Sequence, residues 1–134
     1  VVEEFGYEMY MHCGAIRKVL LAWQTPAFID EYFKNIILHD QAFPHVRPDD
    51  LREELKKIRQ DGYAITHGEY VTDALGIGAP VFNSDGELAG SIGIIAPEIR
   101  VDTPEFLDTQ KDLVQFYASS LSADLGYEKH DVFQ

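Results

Sequence analysis

Apolar positions recur at helical spacing along most of the chain and alternate in one stretch. In "AIRKVLLAW", residues 15–23, Ile16, Leu20 and Trp23 stand at i, i+4 and i+7, which predicts a short helix burying that face. Thr25 and Pro26 then supply a cap and a first-turn proline, so "AFIDEYFKN" predicts a second helix running toward Asn35. Residues 36–47, with Phe43 and Pro44 and then Pro48, read as a connection. "PDDLREELKKIRQDG" gives the clearest helix: Asp49 or Asp50 caps it, Leu51, Leu55 and Ile58 form the buried stripe, and Gly62 stops it. Thr103 and Pro104 open a long last helix in which Leu107, Val114, Tyr117, Leu121 and Leu125 recur until Gly126; the tail from Tyr127 is expected to fray.

Between the third and fourth helices, "YAIT" begins like a strand, "HGEYVTDA" reads as a loop, and "LGIGAPVFNSDGELAGSIGIIAP" reads as two strands over a turn. Glycine falls at 76, 78, 90 and 93, where strands normally carry side chains. With Phe82 opposite Glu87 and "NSDG" as a four-residue loop, Ile77, Ala79 and Val81 share a face with Leu88, Ile92 and Ile94, a surface for helices. The other face then collects Gly76, Gly78, Ala89, Ser91 and Gly93, which either leaves a hollow or touches another backbone closely. A three-residue loop with a bulge at Gly86 has good turn chemistry but mixes large and small residues on both faces, so the first register is preferred. Antiparallel strands covered by helices describe an α+β domain.

The 134 residues, 46% hydrophobic, are enough for one domain with its own core, here residues 1–134. Apolar runs such as Val19 to Trp23 are far shorter than the roughly 20 residues of a membrane-spanning helix. The opening "VVEEFGYEMY" has glutamates where an export signal would be basic, so no export signal is expected on this chain, and the lone Cys13, unable to form an internal disulfide, fits a reducing cytoplasm. Eleven basic against 23 acidic residues give a net charge of −12, which repels a phosphate backbone, so direct nucleic-acid binding is not expected.

Three motifs in order, "H-x-x-A-x-x-K-x-L-L-A" from His12, "I-R-x-x-G-Y" from Ile58 and "A-P-V-F-x-x-x-G" from Ala79, resemble the effector-binding domain of IclR-type transcriptional regulators over roughly residues 9–126. The resemblance implies a GAF-like fold, an antiparallel sheet flanked by helices. It implies a one-component regulator whose winged helix-turn-helix, absent from these residues, binds operator DNA while this domain senses a small molecule. The strands and helix that precede "MHCGA" in that family are missing too, so the chain looks truncated. A homodimer or homotetramer is implied in the same way.

Carried over by position, the family's effector pocket corresponds to Cys13, Gly14, Ala15, Ile16, Thr66, Gly76, Ser91, Gly93 and Ile95. Gly76 stands where many members have cysteine, Gly93 and Ile95 where many have serine, and Arg17 replaces a frequent glycine. A small oxyacid would therefore lose hydrogen bonds worth about 0.5–1.5 kcal/mol each, which favours a larger or more apolar effector. Backbone N–H groups at the start of the "AIRK" helix remain able to receive a carboxylate. The glycines are expected to enlarge the cavity.

Two other chemistries have their residue types in the chain. Cys13 beside His12 suggests a thiol nucleophile and base, but sequence neighbours point in different directions and a catalytic pair must meet in space. His12, Cys13, His39, His45 and His67 are the residue types of a zinc site, yet none of their spacings forms a short ligand motif. The expectation is therefore a non-enzyme with no cofactor, zinc being the alternative.

Overall fold

Among the described residues, three antiparallel strands form a sheet in the order β1 (Ala64–His67), β2 (Ala74–Phe82), β3 (Leu88–Pro97). They come from a computed structural model that describes residues 10–38, 46–69, 72–100 and 103–128, with only the backbone of Arg100. Helices α1 (Ala15–Ala22), α2 (Pro26–Tyr32) and α3 (Pro48–Asp61) precede the sheet, and α4 (Pro104–Asp124) follows it. The chain is an α+β domain, as its patterning predicts.

The punctuation residues act where expected. Thr25 Oγ1 accepts from the Phe28 N–H at 3.1 Å and Thr103 Oγ1 from the Phe106 N–H at 3.3 Å, each with a proline in the first turn behind it. Gly62 ends α3 at φ 82°, a conformation that costs a residue with a Cβ. Two boundaries differ. Pro48 opens α3, one or two residues before the expected caps, so Asp49 and Asp50 lie in its first turn, where negative charge suits the dipole. After α2 the chain continues through a π-helical turn, Phe33–Ile37, which buries Phe33 and Ile37, rather than entering a connection at residue 36.

The hairpin combines the two registers open to its sequence. Asn83 N–H donates to the Glu87 carbonyl at 2.9 Å and Gly86, at φ 78°, donates to the Asn83 carbonyl at 3.0 Å. This is the three-residue loop with its glycine bulge, and it places Phe82 opposite Leu88, not Glu87. Continued unchanged, that register would mix the two faces. A second irregularity pairs Val81 with Gly90 and leaves Ala89 without a partner, which shifts the parity. Ile77 then faces Ile94, Ala79 faces Ile92, and Gly78 faces Gly93. The segregation of large from small residues holds, except that Leu88 and Ala89 leave their expected places.

Strand β2 is covered on both faces. On one, Leu75, Ile77, Ala79 and Val81 form a core with Val114 and Ala118 of α4. The other core joins Ala15, Val19 and Ala22 of α1 to Phe33, Leu51, Leu55, Ile58 and Ala64. Both helix stripes are rotated from their predicted phases. In α1 the buried positions include Ala15, Val19 and Ala22, while Ile16, Leu20 and Trp23 are half-buried. In α4 they are Val114, Ala118 and Ser122, whereas Tyr117, Leu121 and Leu125 are exposed. In α4 the smaller side chains face inward and allow closer approach, whereas α1 also buries the larger Lys18 and Leu21. Ser122 shows the gain: its Oγ accepts from the Phe82 N–H at 2.9 Å and donates to the Ala118 carbonyl at 2.9 Å.

Candidate functional site

The small-residue face of the hairpin lies beneath the first turn of α1. Gly14, at φ 92°, turns the chain into that helix. A Cβ at Gly78 would stand 3.0 Å from both the Ala15 carbonyl oxygen and the Ile16 Cα. One at Gly93 would collide with the Ile77 carbonyl oxygen and stand 2.7 Å from Ile16 Cγ1. Ser91 Oγ donates to the Ile16 carbonyl at 2.9 Å, tying helix to strand. Gly78 and Gly93 thus seat α1 on the sheet rather than enlarge a cavity, which corrects the expectation for these two positions. Nothing stands within 4 Å of a Cβ at Gly90.

A hollow does remain beside Gly76. Gly14, Ala15 and Ile16 form one wall, and Thr66, Gly76 and Ile95 the other. Arg17 and Ala74 complete the lining, and neither was among the residues carried over. Arg17, which replaces a frequent glycine of the resembling family, stands in the first turn after Gly14. Cys13, Ser91 and Gly93 lie outside the lining. The hollow spans about 310 Å³ including its open mouth, but its free interior is about 20 Å³, room for a single water. Thr66 stands opposite Gly76 in the β1–β2 register, and a Cβ at Gly76 would stand 2.9 Å from its hydroxyl oxygen.

A buried ion cluster holds this end of α1. Lys18 is 2% exposed, and its Nζ reaches the Glu54 carboxylate at 2.9 Å and the Glu69 carboxylate at 2.7 Å. The Gly14 N–H also donates to Glu69 Oε1 at 3.4 Å, so one carboxylate serves both the helix start and the ammonium. Because Glu69 follows β1, the cluster ties α1 to the loop after that strand and to α3.

Among the described residues, the groups of the other candidate chemistries are engaged elsewhere. Cys13 is wholly buried, its Sγ donates to the Glu69 carbonyl at 3.3 Å, and burial raises its pKa above the ordinary 9.0. A thiol held protonated is a poor nucleophile. The neighbouring His12 has its Nδ1 2.8 Å from the Tyr32 hydroxyl and stacks on Tyr10. His67 pairs instead with Glu98 at 2.9 Å. Among the described residues no three His, Cys, Asp or Glu side chains are grouped to hold a metal; His39 and His45 lie outside the described residues.

Comparison with known proteins agrees with this architecture. The family model for the bacterial transcriptional regulator IclR C-terminal region matches residues 1–123. RhmR of Escherichia coli K12, described as an uncharacterized HTH-type transcriptional regulator, is 30% identical over 125 residues, 92% of this chain and 47% of that protein. The crystal structure of Thermotoga maritima IclR superposes with a TM-score of 0.80 at 27% identity, covering 95% of this chain and 51% of that one. An IclR-type regulator from Silicibacter sp. TM1040 has the same fold, with a TM-score of 0.82 at 23% identity, 97% of this chain and 51% of that one. The chain spans about half the length of the curated relatives it matches, 44–49%. The chain belongs to the family of C-terminal, effector-binding domains of IclR-type bacterial transcriptional regulators.

Proposed function

We propose that this domain senses a small-molecule effector in the hollow between the first turn of α1 and the β2–β3 hairpin, and that occupancy alters DNA binding by a winged helix-turn-helix elsewhere in the protein. The supporting observation is the concave wall of Gly14, Ala15, Ile16, Thr66, Gly76 and Ile95, where the start of a helix faces strands stripped of bulk. Early α1 N–H groups lack intrahelical partners and suit an anionic group of the effector. Cys13, Ser91 and Gly93 act from behind the lining: the first anchors the loop at Glu69, and the other two seat α1.

The present form holds space for little more than a water, so an effector enters by lifting the first turn of α1 from the sheet. That movement gives open and closed states of different ligand affinity, which a sensor requires. The reading includes a cytoplasmic, non-enzymatic protein acting as a homodimer or homotetramer. Among the described residues no helix is long and apolar enough to cross a membrane.

The reading is tested by thermal denaturation against a metabolite panel, with the wild-type chain and Gly76→Val. A metabolite should raise the melting temperature of the wild type, and the valine, which fills the hollow, should abolish that rise. An undiminished rise in a folded Gly76→Val variant would place the ligand elsewhere.

A further inference from the structure

A second concavity shares no lining residue with the first. It opens between the end of α1, the start of α2 and one face of α3, and its free interior is about 310 Å³, against about 20 Å³ beside Gly76. That reaches the lower end of the roughly 300–1,000 Å³ typical of small-molecule sites. Its apolar surface comes from Ala22, Pro26, Ile29 and Leu55.

Its charge runs against that of the chain. Arg52, Lys56 and Arg59 recur at i, i+4 and i+7 along α3, so they share a face, and all three line the groove against one carboxylate, Asp30. The whole chain carries a net charge of −12, so this cationic strip is a local reversal. The cations are unequally engaged. Arg52 pairs with Asp30 at 3.2 Å and lies 4.1 Å over the Phe33 ring. Arg59 Nη1 donates to the Ala22 carbonyl at 3.3 Å, through one of its five N–H donors. Lys56 meets Glu53 at 3.3 Å in a pair whose side chains are 71% and 76% exposed, an arrangement of little energetic weight.

We infer that this groove binds an amphipathic monoanion: an aliphatic or aryl body over Ala22, Ile29 and Leu55, with a carboxylate or sulfonate head toward Lys56 and Arg59. Apolar burial supplies affinity, and the cations exclude uncharged analogues of the same body. A free interior of about 310 Å³ favours a small ligand over an acidic peptide. Bound there, the ligand bridges α2 to α3 and covers Leu55 from the solvent side.

Amide NMR titrations of the isotope-labelled chain with octanoate, 1-octanol and a hexaglutamate peptide test this. Octanoate should shift amides within 22–30 and 52–59 saturably, and 1-octanol should bind at least about tenfold more weakly, the loss of one charged hydrogen-bonded contact. Lys56→Gln, at an exposed position, should weaken octanoate about threefold, and Lys56→Gln with Arg59→Gln about tenfold, leaving 1-octanol unchanged. Equal binding of octanoate and octanol, or indifference to the double variant, overturns the assignment. So do octanoate shifts confined to Gly14–Arg17, Thr66 and Gly76, or tighter binding of hexaglutamate. Gly76→Val should leave the groove titration intact, so failure here is separable from failure of the effector reading.

Discussion

Lys18 and Glu69, 51 residues apart in the chain, meet at 2.7 Å under the first turn of α1. Glu69 simultaneously receives the Gly14 N–H, and Glu54 takes the other side of the ammonium at 2.9 Å. The start of the helix that roofs the hollow is therefore fixed by charge from two directions. Any effector that lifts this turn must work against the cluster or move with it.

Removing charge from the two sides of the cluster should cost unequal amounts. Glu54→Gln with Glu69→Gln leaves the 2%-exposed Lys18 ammonium without a counter-charge and should cost about 3–5 kcal/mol in urea denaturation. Lys18→Met replaces the ammonium with an apolar chain and leaves carboxylates that water already reaches, so its loss should be smaller. A larger loss in Lys18→Met would contradict this account of the cluster.

Two glycines in the same strand should respond unequally to alanine. Gly93→Ala drives a Cβ into the Ile77 carbonyl oxygen and should fail to fold or lose more than about 3 kcal/mol. Gly90→Ala meets nothing within 4 Å and should stay within about 0.5 kcal/mol of wild type. Thermal melts of the pair decide the matter.

Ser122→Ala removes the acceptor for the Phe82 N–H beside the Ala89 bulge. A partly buried donor left unpaired should cost about 1–3 kcal/mol. Hydrogen exchange at the Phe82 amide should accelerate beyond what the global loss explains; unchanged protection would argue against the bond.

The Cys13 thiol should resist modification and weaken the fold at alkaline pH. Burial raises its folded pKa above the unfolded 9.0, so the unfolded chain loses this proton first. The stabilisation is complete below pH 9 and is lost as pH rises through the folded value. Tyr32, raised from 10.0 mainly by burial, acts in the same direction. Chemical denaturation at pH 8 and pH 10 should show the decline for wild type and a shallower one for Cys13→Ala. Aromatic disulfide reagents should react slowly at pH 8 until denaturant is added, and rapid reaction of the folded chain would refute the burial.

The sequence by itself determined what depends on near neighbours. Thr25–Pro26 and Thr103–Pro104 set helix starts, Gly62 set a helix end, and strand alternation separated Ile77, Ala79, Ile92 and Ile94 from the small-residue face. These are choices of backbone dihedral and side-chain parity, and a few adjacent residues decide them. The motifs also carried the family, because their order survives without coordinates. Tertiary structure decided how close the layers come. It chose Ala118 and Ser122 over Tyr117 and Leu121 for burial, placed the Ala89 bulge, and pressed Ile16 onto Gly78 and Gly93 while a hollow stayed open beside Gly76. It also joined Lys18, Glu54 and Glu69, whose spacing in the chain carries no signal. Close approach between layers is a sum over residues distant in sequence, and no local pattern records it.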